Sequence, residues 1–351
     1  MNIKITGTGS VIPLKVEQNI SFSNHKFFDV NGVSIKNSNK VIIEKFKSIT
    51  GIEQRRYIED NQTVTDIAIE AAQKSIDDAK VNPESIDYII VAHNVGEIGF
   101  ESNQIDTLPC LASKVKAGLE IKNPNCVAYD ILFGCPGWVE GVIQAKAFIR
   151  AKMAKKCLVI GADTLSRVLD HTDRDSMIYA DGAGATIIEK SNDKGGILSH
   201  KTVTYTSEGE ADFIFYGTAN NKVGDSKYIK MQGRKVYEFA LSKVPLALKS
   251  CLESAGRPLS ELKKIFLHQA NLKMDEAIIT RFYGLYNKKM PEKILPMNIK
   301  EFGNSSVATV PTLFDLVKNK NYCGHTLEKN DLILFASVGA GMNINAIAYQ
   351  V

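Results

Sequence analysis

Two halves of the chain repeat one pattern of motifs, and this repeat limits the folds that the chain can adopt. Segments 75–94 and 250–271 each contain a helix end, a proline and an apolar strand that ends in histidine. Two shorter pairs follow in the same order, Phe133-Gly134-Cys135 with Phe302-Gly303-Asn304 and Gly182-Ala183-Gly184 with Gly339-Ala340-Gly341. One match alone carries little weight, but three matches in one order predict two similar α/β halves.

The two expected halves are residues 1–190 and 191–351, since a chain of 351 residues can hold two domains of ordinary size. In a duplicated fold, matching strand-to-helix corners face one another across a pseudo-two-fold axis. Cys135, His268 and Asn304 each stand at such a corner. We therefore expect the three side chains to share one cleft at the carboxyl ends of strands, where ligands bind in α/β proteins.

Cys135 stands where a predicted strand, residues 127–132, turns into a predicted helix. Backbone N–H groups at the start of a helix stabilise a thiolate, so we expect a lowered pKa for this thiol. A thiolate is the form that attacks acyl groups. The corner alone is typical of a small buried cysteine. The matching corners at His268 and Asn304 favour a nucleophile.

Pro136 restricts the chemistry of this corner, although proline is common at the first position of a helix. It has no N–H, so the residue after the cysteine cannot donate to an oxyanion. The nucleophile elbow of α/β-hydrolases needs that donor and also a glycine where this chain has Phe133. The hydrolase elbow is therefore excluded. An oxyanion hole must use the N–H of Cys135 and a second donor from elsewhere in the chain.

The composition excludes several classes of function. A formal net charge of +4 is too small to indicate nucleic-acid binding, and no apolar run is long enough to span a membrane. The six cysteines show no CxxC or zinc-type spacing, and the chain opens on a strand-like segment without a signal-peptide core. We expect a cytoplasmic protein without a metal site.

The first part of the chain gives fewer signals. Gly7-Thr8-Gly9 resembles the start of a dinucleotide fingerprint, but no helix follows it, so we reject that interpretation. Residues 14–60 read as irregular and polar. From Thr63 a helix is predicted, because small and apolar residues recur at helical spacing. Its expected buried face consists of Ala68, Ala71, Ala72, Ser75, Ile76 and Ala79.

Five segments of the chain together resemble one enzyme family. They are AYDILFGCPGW, GADTLSRVLDHTDRDSMIYADGAGA, FLHQANLKMDEAI, EFGNSSVATVP and SVGAGMN. In this order they are similar to the β-ketoacyl-acyl-carrier-protein synthase III enzymes of the thiolase superfamily. The resemblance implies a duplicated αβαβα thiolase fold with five layers and two pseudo-symmetric halves, and a homodimer.

The resemblance also implies a reaction and its catalytic residues. Cys135 would take an acyl group from an acyl-CoA or an acyl-carrier protein. His268 and Asn304 would donate hydrogen bonds to a malonyl group on acyl-carrier protein, which loses CO₂ to give an enolate. The carbanion would then attack the acyl-cysteine thioester and release a β-ketoacyl product. The N–H groups of Cys135 and Gly341 would form the oxyanion hole.

The same resemblance assigns residues to substrate binding, with CoA or phosphopantetheine thioesters as substrates and no bound cofactor. Arg174 would contact the adenine end of CoA, and Asn271 and Lys273 would line the pantetheine tunnel and its mouth. Leu108 would cap the acyl pocket across the dimer. An acidic carrier protein would meet a basic patch, or else these residues form only a solvated face. The residues of that patch are Lys263, Lys264, Lys273, Arg281, Lys288 and Lys289.

Several positions depart from the family pattern. The positions that usually hold a tryptophan and an arginine of the CoA clamp are Lys45 and Ile49, unless Phe46 replaces the tryptophan by a shift. Lys273 replaces the usual arginine and loses the bidentate fork of a guanidinium. Leu108 is shorter than the common phenylalanine, which would admit a longer or branched chain. These changes indicate a branch of the family away from the housekeeping starter enzyme of fatty acid synthesis.

Three alternatives from other classes remain. A papain-like protease also uses cysteine, histidine and asparagine, but it lacks an internal duplication. A thiolase-fold transferase could move the acyl group to a nucleophile other than malonate. A non-catalytic subunit could use the fold only for binding, and an intact Cys135 argues against that. A metal site at Asp170, His171, Asp173 and Asp175 is disfavoured because Arg174 lies within the cluster.

Overall fold

The structure is a computed structural model, and it describes residues 2–102 and 104–351. Its strands are β1 (Asn2–Val11), β2 (Lys15–Gln18), β3 (Gln54–Tyr57), β4 (Tyr88–His93), β5 (Val127–Leu132), β6 (Lys156–Thr164), β7 (Asp181–Ser191), β8 (Gly196–Thr204), β9 (Ile214–Thr218), β10 (Lys227–Met231), β11 (Leu262–Leu267), β12 (Leu332–Gly339) and β13 (Asn343–Gln350). Its helices are α1 (Asn39–Thr50), α2 (Val64–Ala79), α3 (Leu111–Gly118), α4 (Gly137–Arg150), α5 (Gly233–Ser254), α6 (Leu272–Gly284), α7 (Ile299–Phe302) and α8 (Thr309–Lys320).

Each half contributes one large mixed sheet. The first sheet has the order β1-β7-β6-β4-β5, and β4 pairs in parallel with both β5 and β6. The second sheet has the order β11-β12-β13-β8, and β11 pairs in parallel with β12. Strands at corresponding positions of the two sheets therefore pair in the same parallel or antiparallel orientation, as the repeated motifs predict. Among the described residues, the second sheet has no strand that corresponds to β5. The segment around Ile294 takes that position, and the carbonyl of Ile294 accepts from the N–H of Ile265 at 2.8 Å.

Helices cover and separate the two sheets. Apolar residues of α2 and α3 pack on one face of the first sheet, and those of α5 and α6 pack on one face of the second. A central core joins both sheets through α4 and α8, and its largest side chain, Trp138, has 0% exposure. The succession of layers is helix, sheet, helix, sheet, helix, which confirms the expected thiolase-like αβαβα fold.

The helix predicted from Thr63 is confirmed as α2. Thr63 is its N-cap and accepts from the N–H of Asp66, whose carboxylate accepts in turn from the N–H of Thr63. The small residues of the predicted face lie against the first sheet, where a bulkier helix surface would not fit.

The prediction that residues 14–60 are irregular was wrong, because this segment contains β2, α1 and β3. In α1 the only buried residues are Ile42 and Thr50, so the helix has no broad apolar face for a periodicity to reveal.

No helix within residues 2–102 and 104–351 is long and apolar enough to cross a membrane.

Candidate active site

Three chain corners bring Cys135, His268 and Asn304 to one cavity of about 360 Å³. Cys135 lies between β5 and α4, His268 follows β11, and Asn304 follows α7. The N–H of His268 donates to the carbonyl of Ala336 on β12 at 2.9 Å, which extends the parallel pairing up to the histidine. The structure therefore assembles the three residues that the sequence predicts to share one cleft.

The corner at Cys135 packs tightly against the end of β12. A Cβ atom on Gly339 would lie only 2.6 Å from the nitrogen of Cys135 and 2.8 Å from its Cβ. Any residue other than glycine would push the cysteine corner away from the second half. This close approach explains why the repeated Gly-Ala-Gly motif ends the strand that faces the nucleophile.

Ser306 connects the cysteine to the asparagine. Its hydroxyl donates to the sulfur of Cys135 at 3.3 Å, and its N–H donates to Oδ1 of Asn304 at 2.8 Å. Because Oδ1 is taken by a donor, the amide nitrogen of Asn304 is the atom free to donate to a ligand in the cavity. The backbone of Asn304 is also fixed, since it pairs with the carbonyl of Ile178 and the N–H of Ala180.

His268 is buried and uncharged at neutral pH. Burial lowers the pKa of its imidazole from 6.5 to about 4. Its Nδ1 lies 2.8 Å from the hydroxyl oxygen of Thr309, which itself donates to the carbonyl of Ser306 at 2.9 Å. Because that hydroxyl has one hydrogen, Nδ1 donates to it and Nε2 offers a lone pair to the cavity in this arrangement. Turning the Thr309 hydroxyl towards Nδ1 would make Nε2 a donor.

The expectation of a lowered thiol pKa was wrong. Burial raises the pKa of Cys135 to about 12, and the hydrogen bond from Ser306 offsets only part of that rise. Burial removes hydration from the thiolate, and this effect opposes the one expected from the start of α4. Cys135 is therefore a thiol at neutral pH and needs a base when it attacks.

The residues predicted to bind substrate divide into two groups. Arg174 and Asn271 line the cavity, and Asn271 also caps α6 by accepting from the N–H of Met274 at 3.1 Å. Lys273 is exposed on the first turn of α6, and Leu108 is 89% exposed in the loop before α3. Neither of these two lines the cavity of the described single chain.

Gly341 also lies outside the lining of the cavity in the described residues, whereas Ala340 lines it. The strand end approaches Cys135 through Gly339, so the first backbone N–H after the close contact belongs to Ala340. The residue next to Gly341 that lines the cavity is therefore Ala340, and the oxyanion role predicted for Gly341 stays a prediction.

At the mouth of the cavity, Lys45, Phe46 and Ile49 of α1 all contribute to the wall. The guanidinium of Arg55 lies 5.8 Å from the centre of the Phe46 ring, so this ring already has a cationic neighbour. The two departures from the family clamp therefore face the entrance, as the resemblance implies.

The polar groups of two further clusters are paired with other residues of the chain. His93 receives the N–H of Gly96 on Nδ1 at 2.9 Å and lies 3.0 Å from Asp130 through Nε2, so both ring nitrogens are paired. Asp170 and Asp173 both contact the ammonium of Lys230, which places a cation between the carboxylates. These contacts explain the clusters by packing rather than by catalysis.

Sequence reasoning missed Ser306, Thr309 and Asn94, although all three contact the site or line it. The repeat carried a signal for one of them, because Asn94 follows the histidine that matches His268. Ser306 and Thr309 lie shortly after Asn304 in the chain, and their contacts with Cys135 and His268 arise only from the tertiary fold.

Comparisons with known proteins agree on one family. A family model described as 3-Oxoacyl-[acyl-carrier-protein (ACP)] synthase III matches residues 129–206, and its C-terminal counterpart matches residues 252–351. The chain is 32% identical to the beta-ketoacyl-[acyl-carrier-protein] synthase III of Porphyra purpurea over 100% of this chain and 99% of that protein. It is 30% identical to the enzyme of the same name from Prochlorococcus marinus over 99% and 96% of the two chains. The crystal structure of 3-oxoacyl-[acyl-carrier-protein] synthase III from Aquifex aeolicus is similar with a TM-score of 0.80 and 28% identity, covering 99% and 100%.

Proposed function

The chain belongs to the 3-oxoacyl-[acyl-carrier-protein] synthase III family, and from this premise we propose a decarboxylative condensation at Cys135, His268 and Asn304. The enzyme is an acyltransferase that forms a carbon–carbon bond and serves fatty acid or related lipid biosynthesis. One observation carries the assignment of residues. A thiol, an imidazole and an amide donor face the same cavity, and Ser306 and Thr309 hold them by hydrogen bonds.

The first half of the reaction transfers the acyl group to the cysteine. The lone pair on Nε2 of His268 takes the proton of the Cys135 thiol as the sulfur attacks the thioester carbonyl. The leaving thiolate of CoA or phosphopantetheine takes that proton, and the acyl group remains on the sulfur. His268 is uncharged at neutral pH, so its Nε2 lone pair is available to take the proton.

The second half forms the new bond. The amide nitrogen of Asn304, which the Ser306 contact leaves free, donates to the thioester oxygen of the malonyl group. His268 donates from Nε2 once the Thr309 hydroxyl turns towards Nδ1. Loss of CO₂ places negative charge on the oxygen that both donors hold. The carbanion attacks the acyl-cysteine, the Cys135 thiolate leaves, and a proton from solvent restores the thiol.

The oxyanion of the acyl transfer needs two donors near the sulfur. We assign the N–H groups of Cys135 and Ala340, in place of the expected pair of Cys135 and Gly341. Ala340 lines the cavity beside the close contact between Gly339 and Cys135. Pro136 cannot contribute, so this pair satisfies the requirement that the sequence sets.

The acyl donor is an acyl-CoA or an acyl-carrier protein. Arg174 and Asn271 in the cavity wall suit the phosphate and amide groups of a pantetheine arm. Lys45 and Ile49 at the mouth supply neither an aromatic plane nor a guanidinium for adenine, which favours delivery on a carrier protein. Lys273 is exposed next to the mouth and would meet an acidic carrier. The cytoplasm fits these substrates, and the six cysteines are all free.

We also propose a homodimer through β5. This strand is an edge of the first sheet, and Val127 and Leu132 on it are 47% and 68% exposed. A long apolar edge is a template for pairing with another strand. Pairing there would bring Leu108 of one copy towards the cavity of the other, in agreement with its exposure in a single chain.

A charge on this edge should weaken the dimer. Val127→Lys places an ammonium at the first residue of the proposed edge, so we expect the dissociation constant to rise at least about 10-fold. Leu246→Lys is the matched control, because Leu246 is 51% exposed on α5, away from β5. Sedimentation equilibrium at several concentrations measures both variants. Equal dimerisation of the Val127 variant and wild type would contradict the interface.

The pKa of His268 makes stability depend on pH. In the unfolded chain the imidazole binds a proton below its ordinary value of 6.5, whereas the folded protein binds it only near 4. Stability is therefore lost as pH falls from 6.5 to 4, by about 2 kcal/mol between pH 7 and 5. Urea unfolding of wild type and His268→Gln at both pH values tests this. The variant should lose about 2 kcal/mol less than wild type over the same range.

The proposed function is tested by incubating the protein with acyl-CoA and acyl-carrier donors and then adding malonyl-carrier protein. Intact-protein mass spectrometry should show an acyl adduct, and addition of the malonyl substrate should discharge it with release of one CO₂ per β-ketoacyl product. Discharge to another nucleophile without CO₂ would favour the alternative transferase. Absence of an adduct with every donor would reject both.

A further inference from the structure

A chain of hydrogen bonds outside the three predicted residues ends at the reacting sulfur. It runs from Asp163 through Asn94 to the Ser306 hydroxyl and from there to Cys135. We propose that Ser306 is a further catalytic residue, whose hydroxyl donates to the Cys135 sulfur when it is a thiolate. Asn94 and Asp163 are positioning residues that fix the direction of this hydrogen. The inference builds on the proposed function, since it takes Cys135 as the nucleophile.

Chemistry sets the direction of the chain. The Nδ2 atom of Asn94 carries two hydrogens and no available lone pair, so it can only donate. It lies 2.6 Å from the Ser306 hydroxyl and 2.6 Å from Oδ2 of Asp163, which accounts for both hydrogens. The Ser306 oxygen must therefore accept from Asn94. Its single hydrogen is left for the sulfur of Cys135, 3.3 Å away.

Asp163 fixes the orientation of the Asn94 amide. The backbone N–H of Asn94 donates to Oδ1 of Asp163 at 2.8 Å, and the side-chain nitrogen donates to Oδ2. Both oxygens of this carboxyl accept from the same residue, and the carboxyl is buried, with 1% exposure. A reversed amide would place the Asn94 carbonyl oxygen against Oδ2 of Asp163 and lose the hydrogen bond that the amide nitrogen donates there. The donor of Asn94 is therefore held on the side of Ser306.

The backbone of Ser306 is held at a conformation that a serine does not adopt freely. Its φ is 53°, in the left-handed region, and it is 1% exposed. Its N–H donates to Asn304 and its carbonyl accepts from Thr309. Strain of this kind persists where the surroundings fix a residue for a function. The outcome here is a hydroxyl that points at the sulfur before any substrate arrives.

The proposed role requires no transfer of the serine hydrogen. During acyl transfer the S–H bond of Cys135 breaks, its proton goes to His268, and the new S–C bond forms. In the condensation step the S–C bond breaks and the sulfur leaves as a thiolate. In both steps negative charge develops on the Cys135 sulfur, and burial would otherwise destabilise that charge. The Ser306 hydrogen bond strengthens as this charge develops, and the hydrogen stays on Ser306 throughout.

Alkylation by iodoacetamide tests the inference without any acyl substrate. Peptide mapping follows the rate at Cys135 from pH 7 to 10, with the exposed Cys323 as an internal reference for the reagent. In Ser306→Ala, the Cys135 rate relative to Cys323 should fall about tenfold or more across this range, because the thiolate loses its donor. Ser305→Ala is the matched control on the neighbouring residue, and its ratio should stay within about twofold of wild type.

A second variant tests whether the direction of the Ser306 hydroxyl hydrogen matters, apart from its presence. Asn94→Asp keeps the serine but replaces its donor by an acceptor, so the hydroxyl should turn from the sulfur. We expect the same tenfold fall in the Cys135 ratio. If this variant does not fold, Asn94→Leu removes the donor without adding charge, and a smaller fall is expected.

Unchanged ratios in Ser306→Ala and in the Asn94 variant would overturn the inference. An equal fall in Ser305→Ala would also overturn it, because the loss would then come from the turn as a whole. The proposed function has separate outcomes, since it fails if no donor gives an acyl adduct or if the adduct is discharged without release of CO₂.

Discussion

Replacing Cys135 by alanine should abolish the acyl adduct and reduce β-ketoacyl formation by at least about 10⁴-fold. In the proposed mechanism the sulfur holds the acyl group covalently, so both half-reactions lose their intermediate. Alanine keeps the Cβ that packs against Gly339, and the corner should therefore remain in place. Intact-protein mass spectrometry and product analysis measure the two losses independently.

The control for this variant is Cys323→Ala, which removes an exposed thiol and should leave both readouts as in wild type. A persistent adduct in Cys135→Ala would place the acyl group on another residue. Normal condensation by that variant would contradict a covalent mechanism at this site.

Replacing Asn304 by alanine should separate the two half-reactions. Acylation of Cys135 should remain within about threefold of wild type, while CO₂ release from malonyl-carrier protein should fall about 10²–10³-fold. The reason is that the amide donor serves the enolate oxygen and takes no part in the attack on the first thioester. The backbone pairs of Asn304 with Ile178 and Ala180 do not depend on its side chain, so the turn should persist.

Asn304→Asp offers a sharper comparison than alanine. One carboxylate oxygen can still accept from the N–H of Ser306, as Oδ1 does now. The other oxygen would face the enolate with negative charge where the amide donates, so CO₂ release should fall at least as far as in the alanine variant. Rapid quenching with radiolabelled malonyl substrate measures this step. Normal condensation in either variant would remove Asn304 from the role that we assign.

Much of the site could be predicted because the repeat indicates which residues, distant in sequence, come together in the fold. Corresponding corners must meet when two copies of one α/β unit pack, so the shared cleft of Cys135, His268 and Asn304 follows from sequence order. The orientation of individual groups does not follow from order. Whether Ala340 or Gly341 faces the sulfur depends on a close contact at Gly339 that no periodicity encodes.

The remaining errors have physical causes of their own. The pKa of Cys135 is raised because the folded chain buries the thiol, and local helix geometry indicates only the opposing effect. Helix α1 buries two residues, so its sequence reads as a polar segment. The role predicted for Leu108 stays a prediction, because Leu108 is exposed in one chain and the role requires a second copy.

The two sheets differ at one edge, and this difference bears on how copies of the chain can associate. The edge strands β1 and β8 lie against each other in the folded chain. A Cβ atom on Gly196 would collide there with the carbonyl oxygen of Ile3. The free side of β11 is occupied by the irregular stretch around Ile294. Among the edges of the two large sheets in residues 2–102 and 104–351, β5 is then the one without a backbone partner on its outer side. If copies pair through β5, as we propose, neither large sheet keeps a second edge for a further copy, so the assembly would end at two chains rather than extend into a fibre.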